Sequence, residues 1–204
     1  LAADPGQLAL RDRGFVVAQP GPDGLSEQFF DEVLEHIRKD GNRYELVRGE
    51  LLVTPAPRLW HEVVTKRLDM LIVHCVEEQR LPFYVVGSRS ELSWGDDDTE
   101  VQPDVFVVAL AEARTLDWSK LRRPHLIVEV LSPSTTRHDR FTKRAEYQRR
   151  GVPLYWIVDP DHQQAEVWTP EDHFPRVERT RLQWAPEGAA APFVLDLEEL
   201  FRPL

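Results

Sequence analysis

A glutamate set inside an apolar strand is the first residue whose chemistry asks for an account. Glu129 interrupts the run Leu126-Ile127-Val128-Glu129-Val130-Leu131, where a buried carboxylate is costly unless a metal, a cation or a proton accompanies it. The plainer alternative is a strand-end glutamate paired with an arginine or turned to solvent. Asp104 is the second such residue. Pro103-Asp104 stands at the mouth of the apolar segment 105–110, whereas Pro22-Asp23 and Pro160-Asp161 fall in turns. Carboxylates at the ends of two adjacent central strands can share one hard divalent cation, which takes oxygen ligands and keeps waters. An aspartate that only closes an Asx turn competes with that role. The third feature is the basic stretch Arg137, His138, Arg140, Lys143, Arg144, Arg149 and Arg150, broken by Phe141, Ala145 and Tyr147. Such a helix can line a groove for an anionic substrate, or be a solvated helix in which Asp139 pairs with Lys143 at i, i+4.

These residues need elements to hold them. The segment 105–110 is almost wholly apolar and predicts a strand covered on both faces. A second strand spans 126–131, and Ser132-Pro133-Ser134-Thr135-Thr136 ends it and caps a helix over 137–150, which Gly151 and Pro153 stop. Two short strands, 44–47 and 50–53, form a hairpin through Arg48-Gly49. A Pro-containing loop then leads to a helix over about 60–79, with Val64, Leu68, Leu71 and Cys75 as its apolar stripe and Val63 and Ile72 widening it. His61 lies at the buried edge of that stripe, either as a core histidine or as a side chain that orients a phosphate or carboxylate. Further strands are expected at 83–86, 91–94, 154–158 and 165–168, the last two joined through Pro160-Asp161. Residues 177–184 read as one strand and 197–201 as a short helix. Ser26 suits the N-cap of a helix over 27–39. Residues 1–25 form an N-terminal arm and 26–204 a single domain, of α/β class with a central mixed sheet flanked by helices.

The order of these elements is a Glu-bearing hairpin, Pro-Asp, a strand with Glu, then Lys on a helix. It resembles the restriction-endonuclease-like, or PD-(D/E)XK, nuclease superfamily, and within it the Uma-type family of bacterial endonucleases. The residues that carry the resemblance are Tyr44-Glu45-Leu46-Val47-Arg48-Gly49-Glu50-Leu51, His61, Pro103-Asp104-Val105 and Ile127-Val128-Glu129-Val130-Leu131-Ser132-Pro133-Ser134-Thr135. Asp139, Lys143, Tyr147 and the run Gly151-Val152-Pro153-Leu154-Tyr155-Trp156-Ile157-Val158-Asp159-Pro160 continue it. The Glu-Val-Leu-Ser-Pro-Ser and Tyr-Trp-Ile-Val-Asp segments are specific; the Pro-Asp pair is not.

The resemblance implies a restriction-endonuclease-like core and a Mg²⁺ ion, with Mn²⁺ as substitute, on Asp104, Glu129 and the Val130 carbonyl. It implies a lysine near the attacking water. The usual position, two residues after the Glu, holds Leu131, so Lys143 on the following helix is the substitute. The family-matching candidates for the additional acidic residue are Glu45 and Glu50, with Glu27, Glu32 and Glu35 of the first helix as outsiders. The first two need not share a face of the hairpin, and Glu50 is slightly preferred because it stands beside a glycine. Arg140 and Arg144 are expected to clamp phosphates, with His61, Tyr147 and Ser132 also on the substrate side. The implied activity is endonucleolytic cleavage of DNA to a 5′-phosphate and a 3′-hydroxyl, with a homodimer as the expected assembly. A catalytically silent scaffold of the same fold, or a phosphoesterase acting on another substrate, stays open.

The composition limits these options. The chain has 204 residues, 42% of them hydrophobic, which suits one packed domain. Its 25 Lys and Arg against 35 Asp and Glu give a formal charge of −10, which argues against coating nucleic acid by bulk charge. The single cysteine, Cys75, removes an intrachain disulfide and a thiolate zinc cluster. The longest apolar run, 105–111, is far short of the about 20 residues that span a bilayer. With no basic-then-apolar leader seen, a cytoplasmic, membrane-free protein is expected. Asp96-Asp97-Asp98 reads as a solvated turn rather than a calcium loop. Trp60, Trp94, Trp156 and Trp168 read as core residues more readily than as stacking platforms for bases.

Overall fold

The computed structural model describes residues 42–88, 90–96 and 98–204, together with the backbone of 8–11 and 15–18. The helix expected over 27–39 lies outside the described residues. Strands β1 (Leu8–Arg11) and β2 (Phe15–Ala18) pair antiparallel within the expected arm.

Alternation along the strands builds the centre. Six strands order as β12-β11-β10-β9-β8-β5, with β5 Phe83–Gly87, β8 Val105–Ala109, β9 Leu126–Val130, β10 Tyr155–Asp159, β11 Gln164–Trp168 and β12 Arg176–Glu178. Leu126, Val128 and Val130 face one core, with Val64, Leu68 and Ile72 of the long helix Leu59–Glu78. Ile127 faces the other, with Phe106, Ile157 and Tyr147. Both faces are covered, which is why β8, β9 and β10 are apolar almost throughout.

Only β9 and β10 run parallel; the other pairs in this sheet are antiparallel. A parallel pair needs a crossover, and the basic segment supplies it. The segment is not one regular α-helix: a π-helical stretch, His138–Lys143, precedes a short α-helix, Arg144–Arg149. Wide turns of this kind are frequent at functional sites.

A smaller sheet, ordered β4-β3-β7-β6, joins the second core through Val47, Leu52, Leu92 and Val101. It comprises β3 (Arg43–Val47), β4 (Glu50–Thr54), β6 (Leu92–Ser93) and β7 (Glu100–Val101). The β3–β4 turn has Arg48 at φ 52° and Gly49 at φ 74°, the double left-handed geometry whose twist matches a two-residue hairpin. Val47 pairs with Glu50 and Glu45 with Leu52. Directly paired residues share a face, so Glu45 and Glu50 lie on the same side of the hairpin.

Two further expectations differ from the observed fold. Residues 177–184 are not one strand. The chain turns after β12 and resumes as β13 (Arg181–Trp184), which pairs with β14 (Phe193–Asp196) in a separate sheet. The break follows burial: Val177 is exposed at the sheet edge, while Leu182 and Trp184 enter the long-helix core. On the long helix, Ile72 rather than Leu71 belongs to the buried stripe, because 64, 68, 72 and 75 keep to one face at 3.6 residues per turn.

Candidate active site

The β8–β9 register decides which residues meet. Val105 pairs with Val128, so one step further Asp104 stands opposite Glu129, on the face of Ile127 and the crossover. Both carboxylates are buried, Asp104 at 2% and Glu129 at 0% exposure.

Asp104 is held on both oxygens. Its Oδ1 accepts from Arg43 Nη1 at 3.0 Å; its Oδ2 accepts the Val130 N–H at 2.8 Å and lies 3.2 Å from His61 Nε2. The Val130 N–H thus points to the Asp104 side, and in extended backbone the carbonyl of the same residue points that way too. Burial works against the Asp104 carboxylate, but Arg43, His61 and the Val130 N–H outweigh it and hold the carboxyl well below the usual range. His61, from the long helix, has Thr65 Oγ1 at 3.5 Å from its Nδ1. Burial opposes its protonation, but the Asp104 contact prevails and raises its pKa.

Glu129 is held on one oxygen only. Its Oε1 accepts from Lys143 Nζ at 3.0 Å and from the Tyr147 hydroxyl at 3.1 Å. Its Oε2 is buried and has no hydrogen-bond partner. Burial, with Asp139, Asp104 and Glu45 nearby, overrides Lys143 and pushes the Glu129 carboxyl up to about 8.

Lys143 is the hub. Besides Glu129, its Nζ lies 2.8 Å from Glu45 Oε1 and 3.5 Å from Asp139 Oδ1. Glu45 also accepts the Gln102 N–H at 2.8 Å. Burial disfavours the ammonium, yet Glu129, Glu45 and Asp139 more than compensate, so Lys143 is held firmly protonated. Asp139 is pushed up by burial against Lys143 and a Thr135 hydrogen bond. Four buried carboxylates therefore face two permanent cations, Arg43 and Lys143, with His61 adding charge only when protonated.

Of the remaining expected residues, Glu50 is half-buried at the start of β4. It lies near His138, whose pKa burial lowers against the pull of Glu50, and it makes no ion pair with Lys143. Ser132 borders a cavity of about 110 Å³ that Arg43, Thr54, His61, Asp104 and Thr135 also line. Arg140 and Arg144 have other partners. Arg140 bonds Glu166 at 2.6 Å and Asp159 at 3.0 Å; Arg144 bonds Gln148 at 2.6 Å and lies over the Trp168 ring at 4.7 Å. Trp94 is likewise covered, by Arg150 at 5.1 Å, which pairs with Asp96 and Asp98 of the acidic turn. Trp156 is wholly buried.

Two participants escaped the sequence: Arg43 and Asp139 as a site residue. The spacing of Asp139, Lys143 and Tyr147, four apart, held a signal for the second. Nothing local marks Arg43, whose bond to Asp104 spans 61 residues.

The donor chemistry suits a hard divalent cation. The strand ends offer carboxylate oxygens, four buried carboxylates share two permanent cations, and Glu129 Oε2 and Asp139 Oδ1 lack hydrogen-bond partners. Among the described residues no three His, Cys, Asp or Glu side chains form a preformed ligand group; the Asp104 and Glu129 carboxylates and the Val130 carbonyl are oxygen donors of the hard type such a cation takes.

A family model, Uma2, described as "Putative restriction endonuclease", matches residues 27–198. A comparison with curated proteins gave no match. Among solved structures, the crystal structure of a protein titled "a putative nuclease belonging to DUF820", from Anabaena variabilis ATCC 29413, superposes with a TM-score of 0.69 at 18% identity. The match covers 87% of this chain and 97% of that one, and at this identity it concerns the fold.

Proposed function

We propose, from the premise that the chain belongs to the Uma2 family, that it is an endonuclease that hydrolyses DNA phosphodiesters with Mg²⁺, Mn²⁺ serving as a substitute. The observation that carries the proposal is the Asp104–Glu129 pair, opposed across β8 and β9 and buried with an orphaned oxygen. Asp104, Glu129 and the Val130 carbonyl would hold the ion. When bound, it supplies Lewis-acid activation of water and charge neutralisation at the phosphoryl oxygens.

The chain's own residues do the rest. Arg43, His61 and the Val130 N–H fix the Asp104 carboxylate. Tyr147 and Lys143 fix Glu129 through Oε1 and leave Oε2 for the ion. Lys143, held protonated, acts as a cation and hydrogen-bond donor rather than as a base. Glu45, sharing Lys143 with Glu129, is the additional acidic residue in preference to Glu50. Arg140 pins the crossover to β10 and β11 through Asp159 and Glu166. Water attacks phosphorus, the P–O3′ bond breaks, and the proton passes to the departing 3′-oxygen, leaving a 5′-phosphate and a 3′-hydroxyl. Residues 26–204 form the catalytic unit, with 1–25 as an arm, and the active assembly is a homodimer.

The test is cleavage of supercoiled plasmid and single-stranded DNA with Mg²⁺, Mn²⁺ or EDTA, beside Asp104→Asn and Glu129→Gln. Metal-dependent cleavage that falls by about a hundredfold or more in each variant is expected. Equal cleavage by the variants, or none under any condition, would count against an Asp104–Glu129 nuclease. The second result, with the fold intact, would favour the scaffold alternative.

A further inference from the structure

Arg43 stands between the buried carboxylates and the open cavity. Its Nη1 donates to Asp104 Oδ1 at 3.0 Å and to the Gln102 carbonyl at 2.9 Å, and its Nε lies 3.8 Å from Glu45 Oε2. Its side chain is 17% exposed, against 2% for Asp104 and 1% for Lys143. On its open side it lines the cavity with Thr54, His61, Ser132 and Thr135. Lys143, the other permanent cation of the cluster, does not reach that cavity. Arg140 and Arg144, the expected phosphate clamps, are bonded elsewhere.

Asp104 is anchored asymmetrically. Oδ2 is kept by the Val130 N–H and His61, whereas Oδ1 is kept by Arg43. A guanidinium and a divalent cation cannot both sit on Oδ1 without strong like-charge repulsion. The arginine can leave without moving the carboxylate, because Oδ2 keeps its bonds. Its flat fork of donors then suits a phosphate, the other partner that guanidinium recognises by two parallel bonds.

Building on the metal-dependent function above, we propose that Arg43 is a displaceable counter-cation. It occupies Asp104 Oδ1 before a divalent cation binds, yields that oxygen when the cation arrives, and then presents its guanidinium to a substrate phosphodiester in the cavity. The two binding events are thereby coupled: a phosphate that draws Arg43 away removes the ion's competitor, and by linkage the ion favours the phosphate equally.

The experiment measures Mn²⁺ binding by the paramagnetic resonance of the free ion, with and without dimethyl phosphate as an uncleavable phosphodiester. Wild type, Arg43→Gln and Arg43→Lys are compared after circular dichroism shows each to be folded. Wild type is expected to bind Mn²⁺ more tightly when dimethyl phosphate is present. Arg43→Gln is expected to bind Mn²⁺ alone about tenfold more tightly, the worth of losing one competing charge-assisted bond, and to gain nothing from the phosphodiester. Arg43→Lys keeps the competing charge, so it should match wild type for Mn²⁺ alone and show reduced coupling. Thermal melting provides a second readout: Arg43→Gln should melt lower than wild type without metal and recover with Mn²⁺. Unchanged or weaker Mn²⁺ binding by Arg43→Gln, or a melting deficit that Mn²⁺ does not repair, would overturn the role of Arg43 while leaving the metal site standing. A wild-type protein that binds no Mn²⁺ would overturn both.

Discussion

Asp104 and Glu129 stand side by side at neighbouring strand ends and are buried alike, yet their surroundings drive them in opposite directions. Three donors hold Asp104 ionised, while Glu129 shares Lys143 with two other carboxylates and rises to about 8. A raised carboxyl has a definite sign in stability. Between the ordinary glutamate value and about 8 the folded protein binds a proton that the unfolded chain does not, so stability falls as pH rises through that window. Asp139, raised for the same reason, adds in the same direction. In the presence of EDTA the melting temperature should therefore decline from mildly acidic to mildly alkaline pH, and Glu129→Gln should flatten the decline. A metal-free melting profile that climbs over this range, or one that Glu129→Gln leaves unaltered, would show that the cluster is balanced some other way.

At the scale of elements, the hairpin and the crossover do the positioning. The hairpin delivers Arg43 and Glu45 on β3, and the crossover that the parallel β9–β10 step demands delivers Asp139, Lys143 and Tyr147. The hairpin depends on a left-handed pair at Arg48 and Gly49, and the Gly49 N–H also donates to the Asp98 carbonyl at 2.8 Å. Gly49→Ala should lower stability by about 1–2 kcal/mol, the cost of a Cβ in left-handed backbone. It should appear as a lower denaturant midpoint at unchanged slope, and an unchanged midpoint would mean that the turn rearranges freely. The hairpin was legible in the sequence because turn chemistry is local, as were β8, β9 and the long helix, whose patterns are set by burial. The division of 177–184 was not, since the destination of each half depends on β11 and β14 rather than on its own residues. Glu129 was legible as a carboxylate in the wrong place. That Glu45 rather than Glu50 meets Lys143 was not, because the hairpin register puts both on one face and only the crossover's position separates them.

For the molecule taken as one body, a net charge of −10 opposes the binding of nucleic acid by bulk charge. The structure relocates the question. Much of the basic charge that the crossover brings is spent internally, with Arg140 on Asp159 and Glu166, Arg149 and Arg150 on Glu146, and Lys143 inside the cluster. Among the described residues no helix is long and apolar enough to cross a membrane. In the proposed function, what attracts a phosphate is local: a divalent cation that the strand ends would hold, and the charges around one small cavity. The proposed role of Asp104 and Glu129 is to hold this cation jointly, Asp104 already ionised and Glu129 giving up its proton as the ion binds. Its most direct test is calorimetric titration of Mg²⁺ into wild type and Glu129→Gln near neutral pH, in two buffers of different ionisation enthalpy. Wild type should bind Mg²⁺ and release about one proton, as ligands that must ionise do on metal binding, and Glu129→Gln should bind more weakly and release none. Mg²⁺ binding without proton release, or with the same release in both proteins, would contradict the account.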